Sequence, residues 1–312
     1  MNESASKAAN TQLRYNQFIR RVSVNKGEFA VDSIIVIVML FVGFVTLYPF
    51  WFSIVQSFNE GLDARAGGIY FWPRAFTLEN YRNIFATGRI VNAFYVTVAR
   101  TIIGTISSVF FTAVVAYGMS KRDLMFRRVY SRIGIVTMYF SGGLIPFYFL
   151  LMNLGLLNTF WVFIFPMLTG YFNIMLFVAN YRSIPDSLPE SARIDGAGEM
   201  TIFIRIILPS SLPIIATIAL FNGVAHWNAW FDAALFTSDP ELKVLQTILF
   251  EIINFANNME EMRRQMNVPD TTMTVEALRF TTMVVAVLPI TFVYPFLQRF
   301  FVKGMMVGAI KG

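Results

Sequence analysis

Long stretches without a charged residue alternate with short charged segments along the chain. A helix needs about 20 apolar residues to cross the roughly 30 Å of hydrocarbon in a bilayer. Five charge-free runs reach that length, and the longest, Ile133–Tyr181, has room for two helices with a turn near Asn153–Asn158. Backbone groups in lipid must be hydrogen-bonded within their own segment, which favours helices. The pattern therefore predicts six spans, at about 33–55, 97–120, 133–152, 159–181, 206–228 and 279–299.

Composition supports a membrane location. The chain of 312 residues is 56% hydrophobic and 14% charged, whereas soluble domains carry about 25% charged residues. There is no Cys, which excludes disulfides and Cys-ligated metals, and the single His226 argues against a His-based metal site or catalytic triad. The fold class predicted is an all-α polytopic membrane protein.

The distribution of Lys and Arg predicts the orientation. If the N-terminus is cytoplasmic, most Lys and Arg fall in inner segments, and Lys121–Arg132 contributes most strongly. The outer segments carry an excess of acids, so the asymmetry fits the positive-inside rule. The net charge of +6 then reflects topology, and no nucleic-acid partner is needed to explain it. Both termini are expected to be cytoplasmic.

These boundaries divide the chain into segments with different expected environments. They are a cytoplasmic N-terminal tail (1–30), a transmembrane domain (31–300), a cytoplasmic loop (182–205), an extracellular loop (230–278) and a cytoplasmic C-terminal tail (300–312).

The cytoplasmic loop contains the stretch "SIPDSLPESARIDGAGEM". Ser187 and Glu190 have the spacing of a capping box, with Pro189 in the first turn of the helix that they would begin. Gly196 supplies the positive φ that ends such a helix. The loop is therefore expected to contain a short, charged helix that suits docking into a groove of a partner.

A second segment starts near Glu199 and leads into the fifth span. Its apolar side is expected to hold Phe203, Ile204, Ile207 and Leu208. Pro209 and Pro213 are expected to bend the chain where it enters the membrane, because proline cannot continue the helical hydrogen bonds.

The pattern E-S-A-x-x-D-G-A-x5-F-x-x-I-x-L-P-x3-P resembles the EAA loop of binding-protein-dependent ABC importer permeases. Ser191 stands where the family usually has Ala. The matching residues are Glu190, Ala192, Asp195, Gly196, Ala197, Phe203, Ile206, Leu208, Pro209 and Pro213.

The resemblance extends to the carbohydrate branch of that family. "FTLENYRNIF" (Phe76–Phe85) is similar to the first outer loop of MalG-like sugar permeases. "HWNAWFDAALF" (His226–Phe236) and the closing "YPFLQRFFVKGMMVGAIKG" (Tyr294–Gly312) resemble the LplC/YtcP-like branch of oligosaccharide importers.

The resemblance implies a division of labour. This permease would pair with a second, non-identical permease in a bacterial cell membrane, above two cytoplasmic ATPases and below an extracellular substrate-binding lipoprotein that delivers an oligosaccharide. ATP and Mg would bind the ATPases, with no cofactor on this chain. The chain itself has no G-x4-G-K-[ST] phosphate-binding motif, which agrees with a non-catalytic transport subunit. The EAA loop would be the coupling helix that sits in a cleft of the ATPase.

The implied coupling residues are Glu190, Ser191, Ala192, Asp195, Gly196 and Ala197. Glu190 could contact the ATPase or cap the helix, or both. Asp195 could cap the turn after the helix or pair with a base on the ATPase. Gly196 is expected to serve backbone geometry.

Polar residues inside the spans are candidates for the substrate pathway. Arg100 could line the pathway, since intramembrane charges tend to face a cavity or a partner, or it could lie at the outer interface. Tyr139, Asn173 and Asn222 could line the pathway or form hydrogen bonds between helices.

Aromatic residues follow the fifth span. Trp227 and Trp230 could stack on sugar rings, with Asn228 binding hydroxyl groups, or they could belong to an interfacial aromatic belt. Farther on, Leu245, Ile248, Leu249 and Ile252 predict an amphipathic helix. That helix could be a platform for the binding protein or could pack within the loop.

Three other functions compete with the oligosaccharide importer permease. An importer permease for a different solute would share the EAA loop. A stand-alone secondary carrier would need its own coupling site, such as paired acids within the spans, and the spans show none. An intramembrane enzyme would need a nucleophile with its base, or a metal constellation.

Overall fold

The computed structural model describes residues 26–86, 88–266, 274 and 276–292. Within them the chain is helical, with an isolated antiparallel bridge between Asn59 and Phe76 and no β-strand. The helices are α1 (Lys26–Ser57), α2 (Gly61–Ala66), α3 (Glu79–Ala86), α4 (Arg89–Ser120), α5 (Arg127–Tyr139), α6 (Leu144–Asn153), α7 (Tyr171–Ser183), α8 (Ser187–Ile194), α9 (Glu199–Ile202), α10 (Leu208–Ser210), α11 (Leu212–Asn228), α12 (Phe231–Phe236), α13 (Leu245–Met266) and α14 (276–292). Shorter segments are the 3₁₀ turns Phe160–Phe163, Phe165–Met167 and Pro240–Leu242 and the π-helical Phe203–Ile207.

Helix α1 exposes apolar side chains all around. Its apolar part, Val31–Ser57, has 27 residues, and the most apolar 18-residue stretch within it has a mean hydropathy of 2.4. Leu40 and Phe41 are 69% and 67% exposed. Exposing such surface to water costs about 25 cal/mol per Å², whereas hydrocarbon imposes no such cost. The helix is therefore built for a lipid environment.

Helix α4 is the central packing element. Its buried positions form one stripe of mostly small or polar residues, which lets α11 and α7 approach closely. The glycine at 104 lies directly against the imidazole ring of His226 on α11. The stripe comprises Ala93, Thr97, Arg100, Gly104, Ser108, Thr112 and Ala116.

The predicted span 133–152 is not one continuous helix. Helices α5 and α6 meet at an angle of 114° across residues 140–143. Gly143 has φ +86°, which is not a helical value. In a continuous helix, the ring of Pro146 would also clash with the carbonyl four residues before it. The glycines and proline of "SGGLIP" therefore break the span rather than merely bending it.

The next predicted span, 159–181, begins with two 3₁₀ turns before α7, and the two parts are bent by 50°. Pro166 lies in the second turn. The buried residues Val162, Phe163 and Ile164 pack this irregular part against protein. An irregular backbone at this depth is permitted where protein covers it.

The entrance to the fifth predicted span, 206–228, is bent by 81° between Glu199–Ser210 and Leu212–Asn228. The π-helical Phe203–Ile207 lies immediately before Pro209, whose ring would clash with the carbonyl of an ordinary α-helix. The expected bend is confirmed. The expected apolar side is wrong at Ile204, which is 53% exposed, while Ile202 is fully buried in its place.

The outer region after α11 is also helical. The apolar side of α13 packs as expected, with Leu245 and Ile248 buried against Ile84 and Ala93. By length and composition, the described residues hold two helices that could cross a membrane, or five if each bent pair counts as one span. The sixth predicted span, 279–299, lies partly outside the described residues, as do both predicted tails, so the count of six stays a prediction.

Candidate functional site

The loop after α7 forms a short exposed helix, α8, closed by a glycine turn. Gly196 has φ +84°. Its N–H donates to the Arg193 carbonyl at 3.0 Å, and the Ala197 N–H donates to the Ala192 carbonyl at 2.8 Å. This pair of bonds is the Schellman arrangement that satisfies the last carbonyls of a helix. The expected role of Gly196 in ending the helix is confirmed.

The expected capping box is wrong. The residue before α8 is Asp186, and its side chain makes no capping bond. The Leu188 N–H donates to the Pro185 carbonyl at 3.2 Å, so the chain is already turning at Pro185. Ser187 therefore lies inside the first turn, where it cannot cap, and its carbonyl accepts the Ser191 hydroxyl at 2.8 Å instead.

The EAA residues divide into two faces. Ala192 and Ala197 are half-buried and pack against the inner cluster of the protein. Glu190, Ser191 and Asp195 are exposed. Because the alanines are small, α8 lies close to the helices behind it, and its charged side stays free for a partner.

Glu199 ties this loop to the end of α4. Its carboxylate accepts from Lys121 Nζ at 2.6 Å, Tyr117 OH at 2.6 Å and Arg193 Nε at 2.9 Å. Lys121 Nζ also donates to Tyr117 OH at 2.8 Å and lies 4.2 Å from the centre of that ring. The pKa of Glu199 is lowered to about 2, first by the hydrogen bond from Lys121 and next by the one from Tyr117. Glu199 is therefore ionised throughout the physiological pH range.

A cavity of about 1080 Å³ lies between α8, the end of α4 and the start of α5. Its lining carries charges of both signs, and Arg122 and Asp186 pair across it at 2.8 Å. Both side chains of that pair are more than half exposed, so the pair contributes little to stability. A mixed-charge rim of this kind suits a protein partner.

Arg100 is fully buried and paired with an acid. Its guanidinium donates to both Asp232 carboxylate oxygens, at 3.1 and 2.5 Å, and to the Ala229 carbonyl at 3.3 Å. The Phe163 ring centre lies 4.6 Å away. Arg100 is thus buried within the protein, and it fastens the segment after α11 to α4.

The aromatic residues around the end of the fifth predicted span lie in different environments. Trp227 is 8% exposed and donates its indole N–H to the Ala286 carbonyl at 3.2 Å. Trp227 therefore packs among the helices, and its role on the substrate pathway stays a prediction. Asn228, Trp230 and Asp232 instead line a cavity of about 450 Å³ together with Phe147 and Phe231.

Two of the other pathway candidates form a bridge between helices. Asn173 donates to Asn222 at 3.1 Å, and Asn222 donates to Ser108 at 2.8 Å. This chain of bonds joins α7, α11 and α4, which is the helix-to-helix alternative expected for Asn173 and Asn222. Tyr139, at the end of α5, is 78% exposed.

Several residues of the site were missed by sequence reasoning. Arg193 and Glu199 lie on either side of the glycine turn, and their short separation in sequence could have indicated that they pair. The contacts of Lys121 and Tyr117 with Glu199, and of Asp232 with Arg100, gave no such signal, because these partners lie far apart in sequence. Among the residues that the structure describes, no group of three or more His, Cys, Asp or Glu could hold a metal ion.

The chain is similar to known proteins in sequence and in fold. Protein LplC of Bacillus subtilis (strain 168) is 38% identical over 87% of this chain and 91% of its own length. The polygalacturonan/rhamnogalacturonan transport system permease protein YtcP of the same organism is 36% identical over 90% and 98%. A chain in the crystal structure of a bacterial ABC transporter involved in the import of the acidic polysaccharide alginate is 25% identical, with a TM-score of 0.80 over 89% of this chain and 99% of that one.

The family model for the binding-protein-dependent transport system inner membrane component matches residues 84–307. That range includes α4, the exposed helix α8 and the bent fifth span. The chain belongs to this family and is the permease component of an ABC importer.

Proposed function

We propose that this permease takes up oligosaccharides by alternating access, driven by ATPases that bind the coupling helix α8. The observation that carries the proposal is the shape of the Ser187–Gly196 segment. It is a short helix, closed by its own glycine turn, with the side chains of Glu190, Ser191 and Asp195 exposed. The protein holds this helix at its surface without using those side chains for its own packing, which is what a docking element requires.

Within α8 the residues have separate roles. Glu190, Ser191 and Asp195 face outward and contact the ATPase. Ala192 and Ala197 seat the helix against the inner cluster, and Gly196 sets the direction in which it leaves. Motion of the ATPases therefore reaches the spans through a small, rigid contact.

The partners follow from this arrangement. They are a second homologous permease, which forms a heterodimer with this chain, two cytoplasmic ATPases that bind ATP and Mg, and an extracellular substrate-binding lipoprotein. The complex lies in a bacterial cell membrane, with both termini of this chain in the cytoplasm. This orientation places α8 and the basic segment Lys121–Arg132 on the ATPase side.

The substrate class is supported by the relatives and by one cavity. The names of similar proteins refer to polygalacturonan or rhamnogalacturonan and to arabinooligosaccharides. The cavity lined by Asn228, Trp230 and Asp232 combines aromatic faces with polar groups, and sugars present both apolar faces and hydroxyls. We place Asn228 and Trp230 on the substrate pathway, with Arg100 holding Asp232 in position behind them.

The coupling role is tested by Glu190→Gln and Gly196→Ala in the complete importer. We expect uptake to fall by about tenfold, a typical size for a coupling free energy, while ATP hydrolysis and the amount of complex in the membrane are retained. Gly196→Ala acts because alanine disfavours the φ of +84°. Uptake and ATP hydrolysis are measured side by side.

The matched control is Gly198→Ala. Gly198 has φ −72°, and an added methyl group would have no neighbour within 4 Å, so uptake should be unchanged. Wild-type uptake in both test variants would contradict the coupling role.

Purification should also bring down a second permease and an ATPase, and a transporting homodimer without either would overturn the proposal.

A further inference from the structure

The coupling loop, residues 184–202, is joined to the spans by two kinds of route: the chain itself and side-chain contacts. At one end, residues 184–186 connect α7 directly to α8. At the other end the chain passes through the π-helical Phe203–Ile207, then Pro209, and turns by 81° at Ser211 before α11 begins. A π segment, a proline and a sharp bend each interrupt the regular hydrogen bonding of a helix, so α8 and α11 are not connected by one continuous helix.

The second route runs through side chains to α4. Glu199 holds Arg193, which belongs to α8, and also Lys121 and Tyr117, which lie at the end of α4. The Glu199 side chain is 55% exposed, but three donors converge on its carboxylate, and a network of charges contributes more than a single exposed pair. Phe203 packs on the Tyr117 ring with the centroids 5.0 Å apart. A polar clamp and an apolar contact therefore join the loop to the same turn of α4.

Helix α4 is suited to carry a displacement. It runs without a break from Arg89 to Ser120. Arg100, which fastens the outer segment through Asp232, lies 17 residues before Tyr117, about 26 Å along the helix axis. One rigid element thus connects the coupling loop with the residues that line the outer cavity.

We propose that Glu199 is a positioning residue that makes the coupling helix and α4 move as one body, so that α4 carries ATPase motion to the outer segment. The inference rests on the proposed function. Glu199 acts through Arg193, Lys121 and Tyr117 and has no contact with substrate. Without its carboxylate, α8 remains docked on the ATPase and seated by Ala192 and Ala197, but its movement no longer reaches α4 through Arg193.

The test uses the complete importer in lipid vesicles, with uptake and ATP hydrolysis measured on the same preparation. We expect Glu199→Gln to lower the substrate transported per ATP hydrolysed by about tenfold, within the usual range of coupling free energies. Lys121→Met should have a similar effect. The double variant should be no worse than either single variant, since both changes break the same clamp.

Arg89→Gln is the matched control. Arg89 lies at the other end of α4 and pairs with Glu251 at 3.4 Å, and the side chains of that pair are 64% and 40% exposed. Its removal should leave the transport ratio unchanged. If Glu199→Gln reduces the yield of complex, Tyr117→Phe decides, because it removes one bond to Glu199 and keeps the ring contact with Phe203.

The outcomes separate this inference from the proposed function. An unchanged ratio in Glu199→Gln and Tyr117→Phe, or losses in Glu199→Gln and Lys121→Met that multiply in the double variant, overturns the role of Glu199. A misfolding effect would lower uptake and ATP hydrolysis together. The substrate transported per ATP would then be unchanged, which also counts against the role of Glu199. If the wild-type complex shows no ATP-dependent uptake, the proposed function fails instead.

Discussion

Arg100 and Asp232 show how much the environment of one residue depends on another that is distant in sequence. The Arg100 side chain is fully buried, and a carboxylate 132 positions later takes up its charge. Burying a charge is tolerated when it is paired and hydrogen-bonded. Gly196 is the opposite case, because the need for a positive φ after a short helix is local and could be predicted from the sequence.

Asp232→Asn should destabilise the protein strongly, because it leaves the Arg100 guanidinium buried without a counter-charge. Breaking a buried pair from one side costs roughly 3–5 kcal/mol, so the melting temperature in detergent should fall markedly. Replacing both partners, with Arg100→Met and Asp232→Leu, should recover much of the loss.

The matched control for this prediction is Arg89→Gln. Arg89 pairs with Glu251 at 3.4 Å, and its side chain is 64% exposed, so the change should cost no more than about 1 kcal/mol. Equal melting temperatures for Asp232→Asn and wild type would count against a structural role for the pair.

At the scale of elements, the helices are held together by contacts that small residues permit. Gly104 lies against the His226 ring, and Gly134 lies against the Tyr171 ring. The apolar pattern predicted where the helices lie, because long apolar runs are favourable in lipid and unfavourable in water. It did not show that 133–152 is broken by 114°, since two glycines and a proline are compatible with a kink as well as with a break.

Gly104→Ala should weaken the packing of α4 on α11, because the added methyl group would overlap the imidazole of His226. Overpacking a tight contact typically costs 1–3 kcal/mol, which lowers the melting temperature in detergent. Gly118→Ala on the same helix is the control, because its methyl group would meet nothing within 4 Å and alanine favours helix. A stability of Gly104→Ala equal to that of Gly118→Ala would contradict the contact.

At the scale of the whole molecule, apolar surface and charge are arranged for a membrane and for partners. Helix α1 exposes apolar side chains on all sides, while acids and bases between Asp186 and Glu199 line one cavity together with those that follow α4. Charge asymmetry predicted the orientation of the chain, because basic segments stay on the cytoplasmic side.

The orientation can be tested with single cysteines, since the chain has none of its own. Met125→Cys lies between α4 and α5, where Met125 is 72% exposed, and should react with a membrane-impermeant maleimide only from the cytoplasmic side. Tyr70→Cys lies in the loop after α2, where Tyr70 is 60% exposed, and should react only from outside. Labelling of both from the same side would refute the predicted topology.

The sequence by itself determined the membrane location, the helical class and the glycine that closes α8, because each depends on local composition or local backbone geometry. Only the tertiary structure decided which charges pair. The Glu199 clamp with Lys121 and the Arg100–Asp232 pair join residues 78 and 132 positions apart. Such pairs form only when packing of the helices brings their ends together, and no local pattern in the sequence encodes that meeting.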